Sequence, residues 1–189
     1  MSVGCRRQTG AMPTYLAFLR AINLGAKRVF RQADIQRVVS GLGFEDVRTH
    51  INTGNVRFDS RLRSRPKIEA LLEEAFLRDR GFEVPTIVFS AAEFAAAAAE
   101  AEVIHAAHPG LARHYVYLMK DEPTDEALRG VAEAANDKGE MVIRGRVAHA
   151  LLRPGYQEGR VDPLGAVKLL GVATNRNITV MRTLAEKWC

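Results

Sequence analysis

Two short runs, Tyr15-Leu16-Ala17-Phe18-Leu19 and Tyr115-Val116-Tyr117-Leu118-Met119, are apolar at odd and even positions alike. A strand with one face in water alternates apolar and polar residues, so an unbroken apolar strand needs cover on both faces. Each run is also too short to be a helix. A chain with two such strands must bury two sheets, against each other or against extra helices.

The residues around the first run supply the rest of a unit. Ile35, Val38, Val39 and Leu42 recur at helical spacing and stop at Gly43. Val47 to Ile51, then Val56 and Phe58, flank Asn52-Thr53-Gly54-Asn55, which reads as a hairpin. Ile68, Leu71, Leu72, Ala75 and Phe76 form a second helix, opened by Ser64 and Pro66, and Thr86 to Phe89 a fourth strand. The order βαββαβ is that of ferredoxin-like domains. Ser90 and Glu93 then cap an alanine-rich helix over residues 91–101, which needs no special role.

After residue 112 the pattern nearly recurs: a strand at 115–119, a helix through Leu128, Val131, Ala132 and Ala135, and a hairpin around Gly145. Residues 163–170 read as a further helix and residues 177–188 as a terminal one, so a helix stands where the fourth strand should be. The expected fold class is α+β, with two ferredoxin-like (βαββαβ-type) halves, mainly antiparallel sheets and an extra C-terminal helix. The expected divisions are a flexible extension over residues 1–12, a first subdomain over 13–90, and a second over 91–189 that includes the connecting and terminal helices. Residues 1–11 are expected to be dispensable for stability.

The 189 residues suffice for one large domain or two small ones. No apolar run approaches the ~20 residues that span a bilayer, and the first residues lack the apolar stretch of a signal peptide. A cytoplasmic protein with no membrane partner is expected. Cys5 and Cys189 give neither a disulfide framework nor metal spacing.

No phosphate-binding loop, dinucleotide fingerprint or nucleophile elbow is present. His105, His108 and His114 only loosely resemble metal-ligand spacing and read as loop or surface residues, while His50 and His149 read as satisfied, half-buried strand histidines. No metal, no cofactor and no catalytic residue are assigned.

The net charge of +5 is compatible with anionic partners without requiring them. RNA binders of this fold class stack bases on exposed sheet aromatics, whereas Phe18 and Phe58 read as core. The polar residues that resist a purely structural reading cluster by topology. In a sheet ordered 4-1-3-2, the end of strand one adjoins the start of strand three, so Arg20, Asn23, Lys27, Asn52 and Asn55 converge on one edge. Turn-making alone accounts for the asparagines equally well. Near the other end, Thr174-Asn175-Arg176-Asn177 precedes the terminal helix, which Asn177 or Thr179 can cap. Arginine beside a helix amino-terminus calls for a negative partner, from the protein or from a ligand. The expected binding residues are therefore Arg20, Asn23, Lys27, Asn55, Arg176 and Asn177, lining one anion-binding cleft.

Two stretches carry a resemblance. LAFLRAINLGAKRVFRQADIQRVVSGLGFEDVRTHINTGNVRFDS, from Leu16, is similar to the opening of the bacterial domain-of-unknown-function family 1697. That opening runs as a leucine-rich strand, Arg-Gly-Ile-Asn-hydrophobic-Gly, lysine, helix, Leu-Gly-Phe and Ser-Gly-Asn-Val. ATNRNITVMRTLAEKW, from Ala173, resembles the family's Thr-x-Arg-Asn-Trp-x-Thr-Val signature. Ala21 stands where the family commonly has glycine, and Ile178 where it commonly has tryptophan. The resemblance implies a duplicated ferredoxin-like fold and no activity.

Three functional readings follow: a non-catalytic binding module for an anionic ligand, either a phosphate-containing small molecule or nucleic acid; an enzyme acting on a small phosphorylated or carboxylated metabolite; and a structural protein, monomeric or homodimeric.

Overall fold

The computed structural model describes residues 12–156 and 162–189; the expected extension over residues 1–11 lies outside them. The first half comprises β1 (Thr14–Leu19), α1 (Gln32–Gly41), β2 (Glu45–His50), β3 (Asn55–Asp59), α2 (Arg65–Arg80) and β4 (Thr86–Ser90). It leads into α3 (Ala91–Ala107). The second half comprises β5 (Arg113–Met119), α4 (Asp125–Glu133), β6 (Gly139–Arg144), β7 (Val147–Leu152) and β8 (Ala173–Asn177), followed by α5 (Ile178–Trp188). The antiparallel sheets are ordered β2-β3-β1-β4 and β6-β7-β5-β8.

The unbroken apolar strands are covered on both faces, as their composition demands. Tyr15, Ala17 and Leu19 of β1 face α1 and α2, packing with Ile35, Val39, Leu72 and Phe76. Leu16 and Phe18 face the opposite way, into a layer built from α3, α5 and the neighbouring face of the second sheet. Val116 and Leu118 of β5 enter the same layer, while Tyr117 and Met119 face Val131 of α4 and Leu170. Phe18 and Phe58 are fully buried, so neither offers a stacking platform. Three alanines of α3, Ala97, Ala98 and Ala101, are buried in the shared layer, where their small side chains allow close packing.

One expectation is corrected. The second half does have a fourth strand, β8, where a helix was expected; the helix expected over 163–170 is, among the described residues, a short 3-10 turn at Val167–Leu170. Only Ala173 and Arg176 of β8 are buried. This edge strand therefore lacks the apolar alternation that marks a strand in sequence.

With β8 in place, the duplication extends to individual hydrogen bonds. Leu19 N–H donates to the Gly54 carbonyl and Arg20 N–H to Pro85; Met119 N–H donates to Arg146 and Lys120 N–H to Val172. Tyr15 pairs with Ser90 and Tyr115 with Asn177. Ser90 and Asn177 are each the side-chain cap of the helix that follows. Arg20 and Lys120 therefore occupy equivalent positions in the two halves.

The edge strand β4 is sealed by side chains. Its outward N–H groups at Thr86, Val88 and Ser90 donate to the carboxylates of Glu73 (2.8 Å), Glu69 (3.0 Å) and Glu93 (2.8 Å). Glu69 and Glu73 lie one helical turn apart on α2, which matches the two-residue step of the strand. Arg65 pairs with Glu69, Lys120 pairs with Glu73, and Arg146 donates to the Val88 carbonyl. Along the β4 edge the seam between the halves is thus polar, and its hydrogen bonds are made by residues from both.

Candidate functional site

The polar edge is organised by the end of β1, the turn between β2 and β3, and β8. Phe18 pairs with Asn55, so β1 delivers residues 20–31 beside that turn. The turn itself is tight. Gly54 has φ +76, and a Cβ there would lie 2.7 Å from the Leu19 Cβ, so only glycine fits.

Asn23 anchors the loop of residues 20–31. Its side-chain oxygen accepts from the Phe30 N–H (2.9 Å), and its amide donates to the Asn52 carbonyl (2.7 Å). Arg28 donates to the carbonyls of Ala21 and Glu83 and stacks on Phe82. Ala21 and Asn23 both have positive φ, +58 and +55. The left-handed conformation at residue 21 is one that glycine adopts without the steric cost an alanine Cβ carries.

Asn55 and Arg176 are brought into direct contact. Asn55 is fully buried, and its amide donates to the His50 carbonyl and the Thr53 hydroxyl. Its oxygen accepts from Arg176 Nε at 2.5 Å. The Arg176 guanidinium also donates to the Thr53 carbonyl (2.8 Å), the Asn175 carbonyl (2.6 Å) and the Thr174 hydroxyl (3.1 Å). It lies over the Phe18 ring. Arg176 is 6% exposed and has no carboxylate partner among the described residues. Burial pushes its pKa down to about 10, so it remains a cation near neutral pH. Among the described residues its guanidinium is met by uncharged oxygens and a ring face in place of a carboxylate.

The other expected residues stand differently. Asn177 is exposed and caps α5, accepting from the Val180 N–H at 2.8 Å. The side chains of Arg20 and Lys27 are exposed and have no hydrogen-bond or ion-pair partner among the described residues. Arg31 shares that condition. Residues 20–31 hold four cations and no carboxylate. Elsewhere arginines are commonly ion-paired: Arg37 with Asp79, Arg57 with Asp46 and Asp59, and Arg182 with Glu102. Lys120, the counterpart of Arg20, is neutralised by Glu73 at 2.5 Å.

A second polar group lies away from this edge. His114 and His149 are buried, with His114 Nε2 and His149 Nδ1 3.1 Å apart, and the His105 ring stacks on His114. His114 Nδ1, His149 Nε2 and His105 Nδ1 have no hydrogen-bond partner among the described residues. His114 is therefore a buried strand residue rather than a loop one, and His149 is wholly buried and only partly satisfied. The signal was available: both occupy apolar-facing positions of adjacent strands. No cluster that could hold a metal ion occurs among the described residues, and no helix there is long and apolar enough to cross a membrane.

Known proteins resemble this chain in architecture. The solved structure of the conserved bacterial protein SP0830 from Streptococcus pneumoniae superposes with a TM-score of 0.68 at 21% identity, covering 93% of this chain and 98% of that one. At that identity the likeness establishes the fold alone. No curated protein matches the sequence. Residues 12–149 match the family described as Protein of unknown function (DUF1697), a span that ends within β7 and leaves β8 and α5 outside it. With most of its length matched, from β1 into β7, the chain belongs to the DUF1697 family.

Proposed function

We propose that this protein is a non-catalytic binding module for an anionic ligand, a phosphate-containing small molecule or nucleic acid, held at residues 20–31 and the adjoining turn. The observation that carries this reading is the set of three exposed cations, Arg20, Lys27 and Arg31, that no carboxylate neutralises among the described residues, on a loop fixed by Asn23 and Arg28. Fixing the backbone lowers the ordering cost of binding. Arg176 and Asn55 support the surface from below by fastening its turn to β8. Ile51, at the start of that turn, has φ +49 and is 40% exposed. A β-branched residue in the left-handed region is strained, and such strain gathers at functional loops.

The test is a titration with pyrophosphate and with a labelled single-stranded oligonucleotide at low salt. Binding of either that weakens steeply with salt, and falls in Arg20→Ala/Lys27→Ala, is the expected outcome. No binding of either at low salt refutes the reading.

A further inference from the structure

A cavity of about 460 Å³ opens on the seam between the two halves, beside the cationic loop but lined mainly by carboxylates and apolar side chains. Its ionisable lining is Glu73 and Glu74 from α2, Glu83 just before β4, and Lys120 just after β5. Leu77, Val84 and Val172 supply apolar wall. Sites for small molecules favour such junctions: a concave, mainly apolar space with a few convergent polar groups.

The charges there are unequally satisfied. Lys120 is neutralised by Glu73 at 2.5 Å, and Glu73 also accepts from the Thr86 N–H. Glu74 pairs with Arg78 along the helix at 2.5 Å. The Glu83 carboxylate has no cation partner among the described residues, although its backbone carbonyl is held by Arg28 Nη2. The opposite wall is fixed as well, because Lys120 N–H donates to the Val172 carbonyl at 2.9 Å. A preformed apolar space with one uncompensated carboxylate at its margin suits a molecule with an apolar body and a single positive charge.

We propose that this cavity binds small organic amines, the ammonium group meeting Glu83 and the hydrocarbon part packing on Leu77, Val84 and Val172. The site adjoins the cationic loop, whose Arg28 holds the Glu83 carbonyl and whose Arg20 N–H donates to Pro85, but it uses none of that loop's exposed side chains and does not rest on the anion reading. Phenethylamine is the probe, compared with 2-phenylethanol and phenylacetate, which carry the same ring with no charge and with a negative charge. Binding is followed by amide NMR shifts on the full chain. The amine is expected to shift Leu77, Val84 and Val172, and to bind more tightly than either analogue. Glu83→Lys, at an exposed position, should weaken the amine by about tenfold or more, and Val172→Trp should remove binding by filling the space. Arg20→Ala/Lys27→Ala should leave amine binding unchanged, which separates this site from the anion reading. Equal or tighter binding of either analogue overturns the proposal. So does an absence of shifts at about 10 mM amine, which would fill a site of roughly millimolar affinity.

Discussion

Arg176 and Asn55 lie 121 residues apart in the chain, yet Arg176 Nε donates to the Asn55 side-chain oxygen at 2.5 Å in a buried contact. The bond fastens the last strand of the second half to the tightest turn of the first. It therefore couples the stability of the two halves through the edge where the anion surface sits.

Removing either partner leaves buried acceptors or donors unmatched. Asn55→Ala and Arg176→Ala should each destabilise the protein by about 2–3 kcal/mol, since an unsatisfied buried polar group costs roughly 1–3 kcal/mol. Urea denaturation of both single variants and the double variant checks this. A double variant markedly less destabilised than the sum of the singles is expected for groups in contact; simple additivity would show that the bond contributes little.

The buried histidines predict the acid response. Burial holds His114 and His149 down to about 4, against an ordinary value of 6.5. The unfolded chain then takes up protons below about pH 6.5 that the folded chain refuses until about pH 4. Stability is therefore complete above that upper limit and falls as pH drops through the window. The loss approaches about 3 kcal/mol per histidine at the low end, at 1.36 kcal/mol per pKa unit. Around the pair, Glu102 of α3 favours the charged form of His114, while His105 and His108 oppose it, as Arg144 does for His149. His50, also held down by burial and by Lys187, contributes with the same sign. His149→Phe should flatten the urea midpoint between pH 7.5 and 5; an unchanged slope would exclude the pair as its source.

The sealed edge of β4 yields a third expectation. Glu69→Ala would free the buried Val88 N–H and leave Arg65 without its close partner. It should cost about 1–3 kcal/mol and open the edge to intermolecular pairing. Light scattering during refolding should show aggregation in the variant and none in the parent.

Backbone strain can be relieved where it is seen. Ile51→Asn places a residue tolerant of the left-handed region at φ +49 and should raise stability by about 0.5–1 kcal/mol. Gly54→Ala should act oppositely and strongly, because its Cβ would meet Leu19 and Ile22. Thermal denaturation of both variants reads the two signs.

Much of this architecture was legible because its signals are local. The two-sided apolarity of residues 15–19 demanded cover on both faces, and the turn at Asn52-Thr53-Gly54-Asn55 announced the hairpin. The strand order then placed Asn55 beside the end of β1, where Phe18 pairs with it. β8 was missed because its Thr174, Asn175 and Asn177 are polar and partly or fully exposed, so no period marks the strand. The partner of Arg176 was sought as a negative charge and is instead an amide, carbonyls and a ring, a solution that depends on tertiary approach. The histidine pair was legible only in part: the apolar-facing strand positions of His114 and His149 signalled burial, but their contact across neighbouring strands, 35 residues apart, is tertiary.

The central claim is that the cations of residues 20–31 serve a ligand, and a salt-dependent titration with pyrophosphate and a single-stranded oligonucleotide tests it most directly. For each phosphate contact made to a nucleic-acid single strand, the logarithm of affinity should fall by about 0.7 per tenfold rise in salt. The account predicts binding of at least one probe at low salt, lost in Arg20→Ala/Lys27→Ala while the fold is retained. Absence of binding by both probes, or binding indifferent to those substitutions, would contradict it.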